Sequence, residues 1–93
     1  MQTYVILRRS AWETAEDLEE AAGRSAMVAD EEMDDQVRWI RSYVIEEEDG
    51  TLGTVCIYQA EDEDAIMEHA NRAELAADEV LTVMNTVLVR DDP

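Results

Sequence analysis

The chain carries one histidine, His69, and one cysteine, Cys56, so metal or nucleophile chemistry has few side chains to draw on. Imidazole suits nickel, copper and zinc, and a thiolate is a second donor for the same ions. A site local to one helix would place another ligand three or four residues from His69, where the chain has Ala65, Ile66, Arg72 and Ala73. Any metal at His69 therefore needs donors from another strand, a loop or a second subunit. The competing reading of His69 is a packing residue beside an apolar stripe, and that of Cys56 a small buried hydrophobe. A second constellation is Trp39, Arg41 and Tyr43 at alternate positions, followed by Cys56 and Tyr58. Aromatic rings with a guanidinium line clefts that hold planar or anionic ligands. Three glycines provide no phosphate loop, no Ser-His-Asp arrangement is visible, and a lone cysteine excludes a Cys-rich structural zinc site. Met27, Met33, Met67 and Met84 are scattered and read as gap-fillers.

These residues lie on Val37–Ala60, which reads as two strands joined at Asp49-Gly50. Asp-Gly between alternating apolar positions predicts a two-residue type I′ hairpin loop. On that register Val44 pairs with Val55, Ser42 with Ile57 and Ile40 with Gln59 on one face. Tyr43 pairs with Cys56, Arg41 with Tyr58 and Trp39 with Ala60 on the other. A slip of one residue exchanges every assignment.

Asp and Glu number 24 against 7 basic residues, giving a net charge of −17, and all seven cations are arginine. Such a chain repels nucleic acid and anionic membrane, because neutralising phosphates needs a clustered cationic surface. Acid surplus without lysine resembles proteins of salt-loving microbes, where molar salt shortens the screening length to roughly 3 Å. Most carboxylates are then surface solvation and argue poorly for metal or catalysis. No segment approaches the roughly 20 apolar residues of a membrane span, and no basic-then-apolar leader is visible. A cytoplasmic protein with a reduced thiol is expected.

At 93 residues and 46% hydrophobic content, one domain over residues 1–93 is expected. Thr3–Arg8 reads as a strand. Ser10, with Glu13 three residues on, reads as the cap of a helix whose apolar stripe is Ala11, Ala15, Leu18, Ala22, Ala26 and Ala29. The acidic run Asp30–Asp35 should fray into a loop. Glu61–Asp64 is the acidic first turn of a second helix with Ile66, Ala70 and Ala73 buried, Val80–Val89 is a last strand, and Asp91–Pro93 a tail. The order βαββαβ predicts a ferredoxin-like α+β fold, an antiparallel four-stranded sheet with both helices on one face. Val5, Leu7, Ile40, Val44, Val55 and Ile57 should then lie under the helices. Tyr4, Ile6, Arg8, Trp39, Arg41, Tyr43, Cys56 and Tyr58 should form the open face, covered by a second copy or lining a ligand cleft.

The strand Trp39-Ile40-Arg41-Ser42-Tyr43, the strand Cys56-Ile57-Tyr58-Gln59-Ala60 and the helical Glu68-His69-Ala70 resemble a small family of uncharacterised ferredoxin-like proteins. The likeness runs from Trp39 to about Val83. Some of its members are described as nickel-binding homodimers, so the resemblance implies a homodimer and nickel or another divalent transition metal as ligand, for which His69 is the residue to test. The family follows its second helix with a Gly-x-Pro turn, where this chain has Ala73-Glu74-Leu75-Ala76-Ala77-Asp78. The alternative is a small-molecule binder or enzyme of the dimeric α+β barrel type, using the Trp39, Arg41, Tyr43, Cys56 and Tyr58 cleft.

Overall fold

A computed structural model describes residues 1–91; residues 92–93 of the expected tail lie outside the described residues. The elements are β1 (Gln2–Trp12), α1 (Ala15–Met27), β2 (Val37–Glu46), β3 (Leu52–Ala60), α2 (Glu63–Arg72) and β4 (Glu79–Thr82). The sheet runs in the order β2-β3-β1-β4 with every neighbouring pair antiparallel. This is the ferredoxin-like α+β arrangement expected from the element order.

The hairpin loop differs from the expectation, and the difference reorganises the sheet. The backbone N–H of Gly50 donates to the Glu47 carbonyl and that of Glu47 to the Thr51 carbonyl, while only Gly50, at φ 88°, has a positive φ in the turn. That is a three-residue loop, Glu48-Asp49-Gly50, in which a type I turn is closed by a left-handed glycine. Asp49 completes it by accepting from the Thr51 N–H and hydroxyl at 3.0 and 2.6 Å. One extra loop residue moves the register by one, so Tyr43 faces Val55, Ser42 faces Cys56 and Arg41 faces Ile57. A bulge between Trp39 and Arg41 shifts it again and brings Trp39 opposite Tyr58.

The helices, in addition, cover the face of β1 and β3 opposite to the expected one. Tyr4, Ile6, Arg8, Cys56 and Tyr58 are buried, while Val5, Leu7, Val55 and Ile57 are half-buried. The core is assembled from Ile6, Tyr58 and Val37 with Val28, Ala29 and Met33 after α1 and Ala65, Ile66 and Ala73 at α2. Val5, Leu7, Val55 and Ile57, placed under the helices by sequence, instead form the open side, while Val44, opposite Thr54, stays on the covered side at the edge of a cavity. Ile40 sits in the bulge and is exposed.

Helix boundaries follow local chemistry. Thr14, not Ser10, caps α1, its hydroxyl accepting from the Asp17 N–H at 3.1 Å. Ser10 belongs to β1, at φ 46°, where the strand slips register between Arg8 and Trp12. Ala21, Ser25, Val28 and Ala29 are the buried positions around α1, while Leu18 and Ala22 are half-buried beside a cavity. The acidic run does not simply fray: Val28–Glu32 forms a π-helical turn, closed by Met33 N–H on the Val28 carbonyl at 2.9 Å. Asp62 caps α2 through the Ala65 N–H at 2.9 Å. The end of α2 is a Schellman turn, Leu75 N–H on the Ala70 carbonyl at 2.8 Å, with Glu74 at φ 58° in the left-handed position. The chain thus makes a glycine-type turn with a glutamate. The last strand stops at Thr82 rather than Val89, and Met84, Val87, Leu88 and Val89 are exposed.

Candidate functional site

Alternation along β1 and β3 brings Arg8, Thr54, Cys56 and Tyr58 to the covered face, and α1 lays Ser25 against them. Tyr58 stacks on Trp39 with ring centroids 6.1 Å apart and planes 9° from parallel. His69, fully buried on α2, tilts against the same phenol at 5.1 Å. The Tyr58 and Ser25 hydroxyls share a 2.6 Å hydrogen bond, and the His69 Nε2 N–H points at the Ser25 carbonyl at 3.1 Å. That bond leaves Nδ1 as the acceptor nitrogen, and it has no partner. The Trp39 indole N–H donates to the Ser42 hydroxyl at 2.8 Å, and the Cys56 thiol to the Thr54 hydroxyl at 3.2 Å. Arg8 is buried with its guanidinium 5.7 Å from the Tyr58 ring centre, its Nε and Nη2 without hydrogen-bond partners.

Burial pushes the Tyr58 phenol up to about 12, against the opposing pull of the Ser25 hydrogen bond and the Arg8 charge. Burial also lowers His69 below its usual value, with the Ser25 carbonyl resisting and the Arg8 charge assisting. At neutral pH the cluster is therefore a protonated phenol and a neutral imidazole beside a guanidinium. Such a set recognises ligands by hydrogen bonding and charge, with the Tyr58 hydroxyl engaged by Ser25 and His69 packed behind it.

Between α1 and the sheet lies a cavity of about 240 Å³. Its floor is Arg8, Thr54, Cys56 and Tyr58, and half-buried Trp12 and Leu18 with exposed Val44 mark its mouth. Of the cleft residues expected from sequence, Trp39, Cys56 and Tyr58 line this cavity, on the opposite side of the sheet from the expectation. Arg41 and Tyr43 stand on the other face, where the loop-driven register places them opposite Ile57 and Val55. Trp12 and Ser25 are residues that sequence reasoning missed, and Arg8 was placed on the same face as Cys56 and Tyr58 without being singled out as a cleft residue. The signal for Arg8 was present in the Tyr4, Ile6, Arg8 alternation, which matches the parity of Cys56 and Tyr58 across the β1–β3 pair.

His69 does not fit a metal site within the protomer. No group of three or more His, Cys, Asp or Glu converges among the described residues. The orphan Nδ1 lies in a core whose nearby charged group is the Arg8 guanidinium, which repels a cation.

The model of a family described as nickel responsive protein SCO4226-like matches residues 4–83. The crystal structure of SCO4226 from Streptomyces coelicolor A3(2) is similar at a TM-score of 0.73 with 19% sequence identity, over 91% of this chain and 99% of that one. At that identity the likeness bears on the fold. No curated protein matches the chain. Among the described residues, no helix is long and apolar enough to cross a membrane.

Proposed function

Since this chain belongs to the SCO4226-like family, we propose that it is a cytoplasmic, non-catalytic binding protein that works as a homodimer and takes nickel between protomers rather than at His69. The observation that carries the reading is the open sheet face. Val5, Leu7, Val55, Ile57 and Leu81 form a continuous aliphatic surface there, flanked by Tyr43. A lone small domain does not leave such a face wet. The exposed apolar arm after β4 adds to it, with Met84 99% and Val87 86% accessible. Its first residue is held at the sheet edge, where the Val83 N–H donates to the Thr3 carbonyl at 2.9 Å. A second copy packed sheet on sheet, each arm lying across the other protomer, covers both surfaces in one closed two-fold interface. Nickel enters this reading through the family description. With His69 in the core, its donors are surface carboxylates that the two-fold axis brings together, in a chain with 24 of them.

Light scattering and titration calorimetry with nickel on the untagged protein test both halves. A dimer is expected in the wild type and a monomer in Ile57→Glu, with nickel binding lost in that monomer and kept in His69→Gln. A wild-type monomer at micromolar concentration refutes the dimer. Nickel affinity that disappears in a folded His69→Gln protein returns the metal to the imidazole.

A further inference from the structure

The cavity floor holds a cation, Arg8, that meets the Tyr58 phenol but, among the described residues, no carboxylate lining the cavity. Arg8 is 1% exposed, its Nε and Nη2 make no hydrogen bond, and no Asp or Glu lines the cavity although the chain has 24. A buried charge without a partner is rare because desolvation costs it heavily. The Tyr58 ring beneath the guanidinium compensates part of that charge but offers no hydrogen-bond acceptor to Nε or Nη2. Those two nitrogens share one edge of the guanidinium, and their N–H bonds run parallel, which is the spacing that receives both oxygens of a carboxylate. The same edge of Arg9, one residue along, is filled in this way by Glu47, at 2.9 and 2.8 Å.

The other polar groups of the lining are already engaged with one another: Tyr58 with Ser25, Trp39 with Ser42, Cys56 with Thr54. Beyond the Thr54 O–H and the Trp12 indole N–H, the donors left over are those of Arg8. Around them the wall is apolar, from Leu18 and Ala22 on α1 to the indoles of Trp12 and Trp39. We propose that this cavity is a binding site for a small organic monocarboxylate, its charge met by the Arg8 guanidinium, whose enclosed Nε and Nη2 edge turns toward the ligand on binding, and its apolar body against Trp12 and Trp39. The volume, about 240 Å³, is that of about eight water molecules, below the roughly 300 Å³ where drug-sized sites begin. It selects a single ring or a short chain. A phosphate fits poorly, since a dianion would meet one guanidinium and a wall of hydrocarbon. The site lies on the covered side of the sheet, so it stands independently of the proposed dimer.

Both tryptophans of the chain line the cavity, so intrinsic fluorescence and the two indole N–H resonances report its occupancy. Titration with benzoate and with hexanoate should perturb both signals saturably in at least one case. Benzamide, which has the shape of benzoate without its charge, should bind on the order of a hundredfold more weakly, and inorganic phosphate should leave both signals unmoved. Arg8→Met should melt at a higher temperature than the ligand-free wild type, having lost an unpaired buried charge, and should no longer respond to carboxylate. Ala22→Leu, which builds out the wall into the cavity while leaving Arg8 in place, should block binding in a folded protein and decides the matter if Arg8→Met does not fold. Flat signals with both carboxylates, equal responses to benzoate and benzamide, or a response that survives Ala22→Leu would overturn the proposal.

Discussion

Arg9 meets Glu47 through two hydrogen bonds in the open, and Glu47 also accepts the Ser10 N–H at 2.8 Å. Arg8, the preceding residue, turns to the covered face and meets an aromatic ring and an empty volume. The two arginines share a strand, a charge and a geometry, and differ in which side of the pleat they occupy. On the outside, acidic residues are plentiful enough that a guanidinium finds a carboxylate. On the inside none lines the cavity, because a carboxylate placed there permanently would occupy the space that a ligand needs. A completed ion pair holds the strand's shape, whereas an incomplete one is a place to bind.

The largest expected effect lies where the two environments meet. A Cβ added to Gly53 would stand 2.6 Å from the Arg8 carbonyl oxygen and 2.9 Å from the Glu47 Oε2. Gly53→Ala must push β1 away from β3 or expel Glu47, and should lower stability by about 3 kcal/mol. Chemical denaturation checks it; a loss below about 1 kcal/mol would mean that the strands part freely there and that Arg8 is not held rigidly on the floor.

Salt acts on the outside and spares the inside. Screening of a net charge of −17 removes self-repulsion from the compact state, so the melting temperature should rise steeply between low and molar salt. The Arg9–Glu47 pair weakens under the same screening, and the difference between wild type and Glu47→Gln should shrink. A melting temperature independent of salt would attribute the acid surplus to something other than salt adaptation.

The smallest effect is resolved by pH. The hydrogen bonds from Arg9, then that from the Ser10 N–H, hold the Glu47 carboxyl at about 2 against an ordinary 4.5. A carboxyl depressed by folding stabilises the fold above its unfolded value and loses that contribution as pH falls from 4.5 toward 2. His69 is also depressed, from 6.5. The unfolded chain then takes up the proton first, so the fold loses stability as pH falls below 6.5 until the buried imidazole itself titrates. The two windows are separate. Thermal melts from pH 8 to 3 should show the deficit of Glu47→Gln against the wild type, present at neutral pH, closing only in the lower window, and the difference between His69→Gln and the wild type changing only in the upper. An unchanged pH profile in His69→Gln would show that the imidazole is not desolvated as the core places it.

Much of the architecture was legible because it depends on local pattern. Alternation in β1 and β3, the acidic first turn of α2 and the order of elements each follow from neighbours in sequence, and together they imposed the ferredoxin-like fold. Trp39, Cys56 and Tyr58, singled out by type, do come together around one cavity. The side of the sheet was not legible. Alternation groups Tyr4, Ile6, Arg8, Cys56 and Tyr58 but does not state whether the helices cover that group or its opposite; the three-residue loop and the bulge at Ile40 then decided which β2 residues join it. Burial of His69 and the isolation of Arg8 from every acid are further removed still, since each depends on α1, α2 and three strands closing around one volume. A sequence states that a guanidinium is present; only the packed chain determines whether a carboxylate can reach it.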